Sequence, residues 1–241
     1  SFIKASAREW PDADFYGFDI NEDYMKQLKI DLKSNEHCHI EVADFFCTDW
    51  KNFFTKVDGY WYVIGNPPWV TNSVLSSLNS DNLPTKKNFQ KCNGFEAKTG
   101  KGNFDIAEWI LIKLIESLSI SSGCLAMLCK TVTARKVLRY FWNRDENISD
   151  ISIHRIEASK HFKVAVDACL LLMNVGGEKK EQDAFIYNDL SYTHQIGHVG
   201  MVGNELVANI DLYNEFRYID GKQNYGRSEE RRVGKECRSR W

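Results

Sequence analysis

The chain has 241 residues, 43% of them hydrophobic and 27% charged, with a formal net charge of -2. This composition excludes a disordered or fibrous protein. The near-neutral balance leaves no whole-molecule field to draw in a polyanion, so any nucleic-acid contact must use a local basic surface. The length allows one large domain and the start of a second.

The seven cysteines, Cys38, Cys47, Cys92, Cys124, Cys129, Cys169 and Cys237, lack the tight paired spacing of a zinc site. Three of them, Cys124, Cys129 and Cys169, lie in apolar runs, and the odd total fits reduced core thiols of a cytosolic protein. His37 and His39 flank Cys38, but the alternation in HCHIEV suits a strand with Cys38 facing inward, and no further ligand stands nearby. No metal is expected. The chain shows no secretory leader and no apolar, charge-free run long enough to cross a bilayer, so a cytoplasmic protein without membrane contact is the expectation.

In chain order, SFIKASAREWP reads as a helix stopped by Pro11. Asp14 to Ile20 (DFYGFDI) predicts a short strand. A helix follows, with Asn21 as N-cap and Met25, Leu28 and Leu32 on one face. CHIEVADFF predicts a second strand running to Val42, and GYWYVIGN a third. From Gly102 to Ile120 the pattern is helical, with Ile106, Trp109, Ile110, Lys113, Leu114 and Leu118 on a mainly apolar face and Glu108 and Glu116 toward solvent. GCLAMLCK, Gly123 to Lys130, predicts a buried strand, and Thr133 the cap of a helix through Trp142. ISIHRIE and ACLLLMNV predict two more strands. The segment between them, ASKHFKVAVD, is too short for a full crossover helix, so this pair is expected to return antiparallel. The alternation gives an α/β, doubly wound, mostly parallel sheet closed by one reversed strand.

Between Trp69 and Gly102 runs a long polar segment carrying Lys86, Lys87, Lys91, Lys98 and Lys101. It reads either as a phosphate-facing loop or as a solvated lid. Beyond Gly176 the chain becomes rich in Gly and Asn, AFIYND being a candidate strand, as at the opening of another module. The residues from Arg227 to Trp241 are dense in both charges and resemble a cloning or assembly read-through tail, so they are set outside the fold.

Ligands of an open parallel sheet sit beyond the carboxyl ends of its strands, and three features collect there. Asp19 ends the first strand, where a carboxylate accepts the two hydroxyls of a ribose, and Ile20 beside it can cover one face of an adenine. Asp44 and Phe45 follow the second strand with an acceptor and an aromatic face. Each acid taken singly is also a common turn former. Asn66-Pro67-Pro68-Trp69 ends the third strand: two prolines have no N–H for a ladder, so the chain must leave the sheet at Asn66. A rigid turn with Trp69 as core is the plainer reading of that run.

The order Asp19, Asp44-Phe45, Asn66-Pro67-Pro68-Trp69, then Asn103-Phe104-Asp105 opening a helix, resembles the amino-methyltransferases of DNA, in particular the adenine-N6 group. The likeness runs over most of Ser1 to Val175. It implies S-adenosylmethionine (SAM) as cofactor, with Asp19 on its ribose, Asp44 on its adenine amino group and Phe45 on the ring. Asp105 then lies near the target-base pocket, and Phe162 packs on the flipped base from the other side. Lys86 and Lys87 are the candidate phosphate contacts. Double-stranded DNA is the implied partner, and a restriction or specificity subunit a further one.

The chemistry fits this motif. An exocyclic adenine amine is a poor nucleophile because its lone pair is delocalised into the ring. If the Asn66 side-chain oxygen and the Pro67 carbonyl accept its protons, electron density returns to nitrogen. Proline brings no competing N–H, and its fixed φ holds the carbonyl still. Trp69 offers a flat face for the base.

A fold of this kind carries a Gly-rich turn after its first strand, and no such turn precedes Asp19. The expectation is therefore a partial catalytic domain over residues 1–175 that lacks the first strand and is inactive alone. Residues 176–226 would open a target-recognition module, with the non-native tail at 227–241. Related Asn-Pro-Pro-aromatic motifs act on cytosine N4, on RNA bases and on a glutamine amide, and a non-catalytic nucleic-acid-binding subunit is the alternative of another class.

Overall fold

The computed structural model describes residues 2–33, 35–69, 105–162 and 166–219. They fall into two compact units, one holding residues 2–53 and the other residues 54–69 and 105–219.

In the first unit, α1 (Phe2–Glu9) is followed by β1 (Phe15–Asp19), α2 (Glu22–Asp31) and β2 (Cys38–Val42). β1 and β2 pair in parallel, Asp19 opposite Val42, so both strands end at the same edge. Asn21 caps α2 as its sequence predicts, its side chain accepting from the N–H groups of Asp23 and Tyr24, and Met25 is buried. Cys38 is half-buried between exposed His37 and His39, both of whose rings approach Asp14. Gly17 has a packing reason: a Cβ there would stand 3.0 Å from Ile3 Cδ1 and 3.1 Å from Ile40 Cδ1. An aromatic cluster covers the other side of β1. Phe18 meets Trp50 and Phe53 edge-on, at centroid distances of 5.2 and 5.0 Å. Trp50 and Phe53 belong to α3 (Trp50–Lys56), a helix the sequence reading does not anticipate.

In the second unit β3 (Trp61–Gly65) leads to α4 (Ile106–Leu118), β4 (Gly123–Lys130), α5 (Thr131–Trp142) and β5 (Ile148–Glu157). The chain then forms the five-residue α6 (Ala158–Phe162), β6 (Asp167–Val175), β7 (Asp183–Tyr187), β8 (Gln195–Val202), β9 (Glu205–Val207) and α7 (Ile210–Ile219). The strands make one seven-stranded mixed sheet in the order β3-β4-β6-β5-β7-β8-β9. β3 and β4 are parallel, and β6 runs antiparallel to both β4 and β5. The short link through α6 therefore reverses the chain as its length predicts. The expectation of a single reversed strand needs correction: β8 also runs against its neighbours β7 and β9. β7 pairs in parallel with β5, so the chain beyond Gly176 continues the same sheet.

Burial alternates along β4. Gly123, Leu125, Met127 and Cys129 are buried, while Cys124, Ala126, Leu128 and Lys130 are half-exposed. Leu171, Met173, Ile153 and Ile186 continue the buried side across the sheet in register. Cys129 and Cys169 face each other across β4 and β6, their sulfurs 4.0 Å apart. From α5, Val137, Leu138 and Phe141 complete the core together with Leu111, Ile115 and Leu118 of α4.

Two helix details differ from expectation. Glu108 is buried rather than solvent-facing, because Lys136 of α5 reaches it at 3.1 Å. Thr133 does not cap α5, which begins two residues earlier with Lys130 at the cap position and no side-chain capping bond.

Gly123 sets how closely β4 approaches β3, since a Cβ there would lie 2.5 Å from the Trp61 carbonyl oxygen. A strand backbone cannot swing aside as a side chain can, so Gly123→Ala is expected to cost about 1–3 kcal/mol. The loss would appear as a thermal midpoint lower by about 2–4 °C per kcal/mol.

Candidate active site

β3 delivers the motif to the rim of the sheet. Gly65 pairs with Met127, and with no Cβ it lets Met127 lie against the strand, where a Cβ would be 2.9 Å from Met127 Sδ. The chain leaves the ladder at Asn66, as two prolines require. Asn66 and Pro68 are exposed and Pro67 is buried. The Asn66 side chain makes no hydrogen bond among the described residues and is not turned into the core. Trp69 is half-buried, and its indole Nε1–H donates to the Leu128 carbonyl at 3.3 Å. One edge of the indole is thus fixed to β4.

Beside this exit lies a buried polar junction. Asp105 is 7% exposed and caps α4, its Oδ1 accepting from Ala107 N–H at 3.1 Å. Asp105 Oδ2 accepts from Lys130 Nζ and from Thr133 Oγ1, each at 3.2 Å. One carboxylate thereby ties the start of α4, the end of β4 and the first turn of α5, where a negative charge is favoured by the helix dipole. Thr131 Oγ1, in that same first turn, is buried and has no hydrogen-bond partner among the described residues. The sequence names Asp105 but not Lys130 or Thr133 as its partners. A lysine closing an apolar strand was the available signal, since a half-buried ammonium needs an anion.

In the first unit, the parallel pairing of β1 and β2 brings Asp19-Ile20 and Asp44-Phe45 to one carboxyl edge. Asp19 and Ile20 are exposed, and Asp19 Oδ1 accepts from Asn21 N–H at 2.8 Å. Asp44 is half-buried, with Oδ1 accepting from Phe46 N–H at 2.9 Å and Oδ2 facing Cys47 Sγ at 3.5 Å. That carboxylate pushes the Cys47 thiol pKa upward and so quietens it as a nucleophile. Phe45 leans on Trp50, centroids 5.0 Å apart and planes at 32°, and Trp50 Nε1–H donates to the Phe45 carbonyl at 2.9 Å. Both acids therefore do turn-forming work through one oxygen, and Asp19, exposed, has no hydrogen bond to its second oxygen among the described residues. Phe162 ends α6. Lys86 and Lys87 lie outside the described residues. Among the described residues, no three His, Cys, Asp or Glu side chains are grouped to hold a metal, and no helix is long and apolar enough to cross a membrane.

No protein-family model matches the chain. Over 213 residues, 87% of its length, it is 36% identical to the Type II methyltransferase M.NspV of Nostoc sp.. The chain is a relative of a Type II methyltransferase. It spans 44% of that relative's length. Among solved structures it is similar to the M protein of the Type I restriction enzyme EcoKI, at 12% identity over 76% of this chain and 39% of that one, with a TM-score of 0.45. The Type IIL restriction-modification enzyme MmeI, solved in complex with DNA, gives 14% identity over 80% of this chain and 27% of that one, again with a TM-score of 0.45.

Proposed function

We propose that the chain carries the amine-activating part of a SAM-dependent DNA methyltransferase of a restriction–modification system, and that its target is the N6 amine of adenine. The observation that carries the reading is the exit of β3: an exposed Asn66 followed by a buried Pro67, at the carboxyl rim of a sheet. The 36% identity to a Type II methyltransferase supports the reaction class.

The residues of the first unit fit the nucleoside half of the donor. Asp19 has an open carboxylate oxygen for ribose hydroxyls, Ile20 is an exposed apolar side chain beside it, and Phe45 offers a ring stiffened by Trp50. Asp44 would accept from the adenine amino group. The donor, when bound, supplies a methyl group made electrophilic by its sulfonium.

The amine end is the work of the second unit. Asn66 Oδ1 and the Pro67 carbonyl oxygen accept hydrogen bonds from the two amine N–H groups, which draws the nitrogen lone pair out of the ring and directs it outward, and once the nitrogen has gained the methyl group it loses one proton to solvent. Two acceptors favour a primary amine over a ring nitrogen or hydroxyl. Trp69 stacks on the extruded base, worth about 1–3 kcal/mol, against an extrusion cost of a few kcal/mol. Phe162 is assigned the opposite face of the base, and Lys86 and Lys87 the flanking phosphates. Asp105 and Lys130 hold the rim in shape. Residues 176–226 would contribute to target recognition.

The test is to incubate the protein, alone and in a form extended to the length of its methyltransferase relative, with isotope-labelled SAM and duplex DNA, digest to nucleosides and weigh the products. Labelled N6-methyl-2′-deoxyadenosine, made by the extended form, is the expected result. N4-methylcytosine, or label confined to RNA or protein, would replace the adenine assignment. Donor binding by the extended form with no transfer to any amine would remove the enzymatic reading.

A further inference from the structure

His198, on β8, has a carboxylate at each ring nitrogen. Nε2 is 2.6 Å from Asp183 Oδ2 on β7, and Nδ1 is 2.9 Å from Asp211 Oδ1 in the first turn of α7. The ring stacks on Phe185 with centroids 4.3 Å apart, and its side chain is 13% exposed. A neutral imidazole has one N–H and can serve only one of these anions. Two short contacts to two carboxylates call for the doubly protonated ring.

The helix at the other end of this contact is lightly seated. Residues 211–216 of α7 are all exposed, Leu212, Tyr213 and Phe216 among them. Asn209 caps the helix from its own chain, accepting from Leu212 N–H at 3.0 Å. Ile210 leans on β8 where Gly200 leaves room, a Cβ there falling 2.4 Å from Ile210 Cδ1. Next to Ile210, the Asp211 bond to His198 ties the helix to the sheet.

We propose that His198 is a proton-operated latch that fastens α7 to the β7–β8 part of the sheet through Asp211. Asp183 and His198 lie on paired neighbouring strands, so their contact is held by the ladder. Asp211 is held by the docking of a short helix, so its contact is the one that opens when a proton is lost. The charged groups acting on the ring are Asp183 from β7 and Asp211 from α7. Burial alone lowers the pKa of the ring, but the two carboxylates outweigh it and the net shift is upward from the ordinary 6.5. Because the folded value is raised, the latch is fully closed below pH 6.5 and is lost as pH rises through the folded pKa. Asp211 is 64% exposed, so solvent screens the contact and the helix loosens while the sheet stays intact.

The latch does not depend on the methyl-transfer reading. Its test is nuclear magnetic resonance of the whole chain, following the His198 ring through a pH titration and the α7 amide protection between pH 6 and pH 9, corrected for intrinsic exchange. The wild-type ring is expected to titrate above 6.5, and protection over residues 212–216 to fall several-fold across that range, about tenfold for each pKa unit that Asp211 contributes. Asp211→Asn should lower the ring's midpoint and flatten the protection profile. His198→Phe keeps a ring against Phe185 and should give low protection at every pH. A wild-type midpoint at or below 6.5, or a profile unchanged by Asp211→Asn, would overturn the latch.

Discussion

Replacing Asn66 with Ala, in the form extended to its relative's length, is expected to lower methyl transfer by about 10²–10³-fold, the cost of removing one acceptor aimed at developing charge, or about 2.7–4 kcal/mol. The fold should not notice. Asn66 is exposed at the end of β3 and makes no hydrogen bond among the described residues, so the unfolding free energy from urea titration should stay within about 0.5 kcal/mol of wild type. Loss of turnover at unchanged stability is the signature of a group acting on substrate. Trp69→Ala is the contrasting variant, because its half-buried indole also donates to Leu128. It should weaken binding of DNA carrying 2-aminopurine at the target and raise KM more than it lowers kcat. If Asn66→Ala methylates normally, the two-acceptor mechanism is wrong. If it unfolds, the residue is structural.

The parts of the molecule legible in sequence are those written in local pattern. An apolar run between Gly123 and Lys130 bounds β4, and its place ahead of an amphipathic turn marks Asn21 as a cap. The rim position of Asn66 was legible for a harder reason: two prolines forbid the ladder from continuing. α3 escaped because its seven residues carry one apolar triplet, Trp50, Phe53 and Phe54, too short a run for a period to stand out. β8 read as irregular because of its glycines. Gly200 makes sense only once Ile210 and the Gln182 carbonyl are seen to crowd it. Glu108 reads as solvent-facing in the sequence because its cation, Lys136, is on another helix, and a helical wheel carries no information about that neighbour. The site divides the same way: the residue types were readable, but their tertiary partners, such as Lys130 and Thr133 around Asp105, were not.

Asp105 is where those partners decide between two roles. A carboxylate that contacts a flipped base should be open. This one is 7% exposed and already accepts from Ala107 N–H, Lys130 Nζ and Thr133 Oγ1. Asp105→Ala would remove a helix cap, worth about 1 kcal/mol, and strand the Thr133 hydroxyl in a buried setting, worth about 1–3 kcal/mol. Lys130 is 26% exposed and can recover part of its hydration, so its lost partner adds less than a fully buried pair would. The expected loss is about 2–4 kcal/mol of unfolding free energy by urea titration, about the sum of those losses. Asp105→Asn keeps one acceptor, enough for the cap, and its amide N–H can donate to Thr133 Oγ1, but it gives up the charge and sets a donor against Lys130, so it should recover part of the stability. Methyl transfer by the Asn variant would then fall only as far as the rim has shifted, with KM and kcat moving together. The opposite pattern, full stability with lost base binding, would mean that the carboxylate opens to substrate despite its burial and that Lys130 and Thr133 release it when DNA arrives.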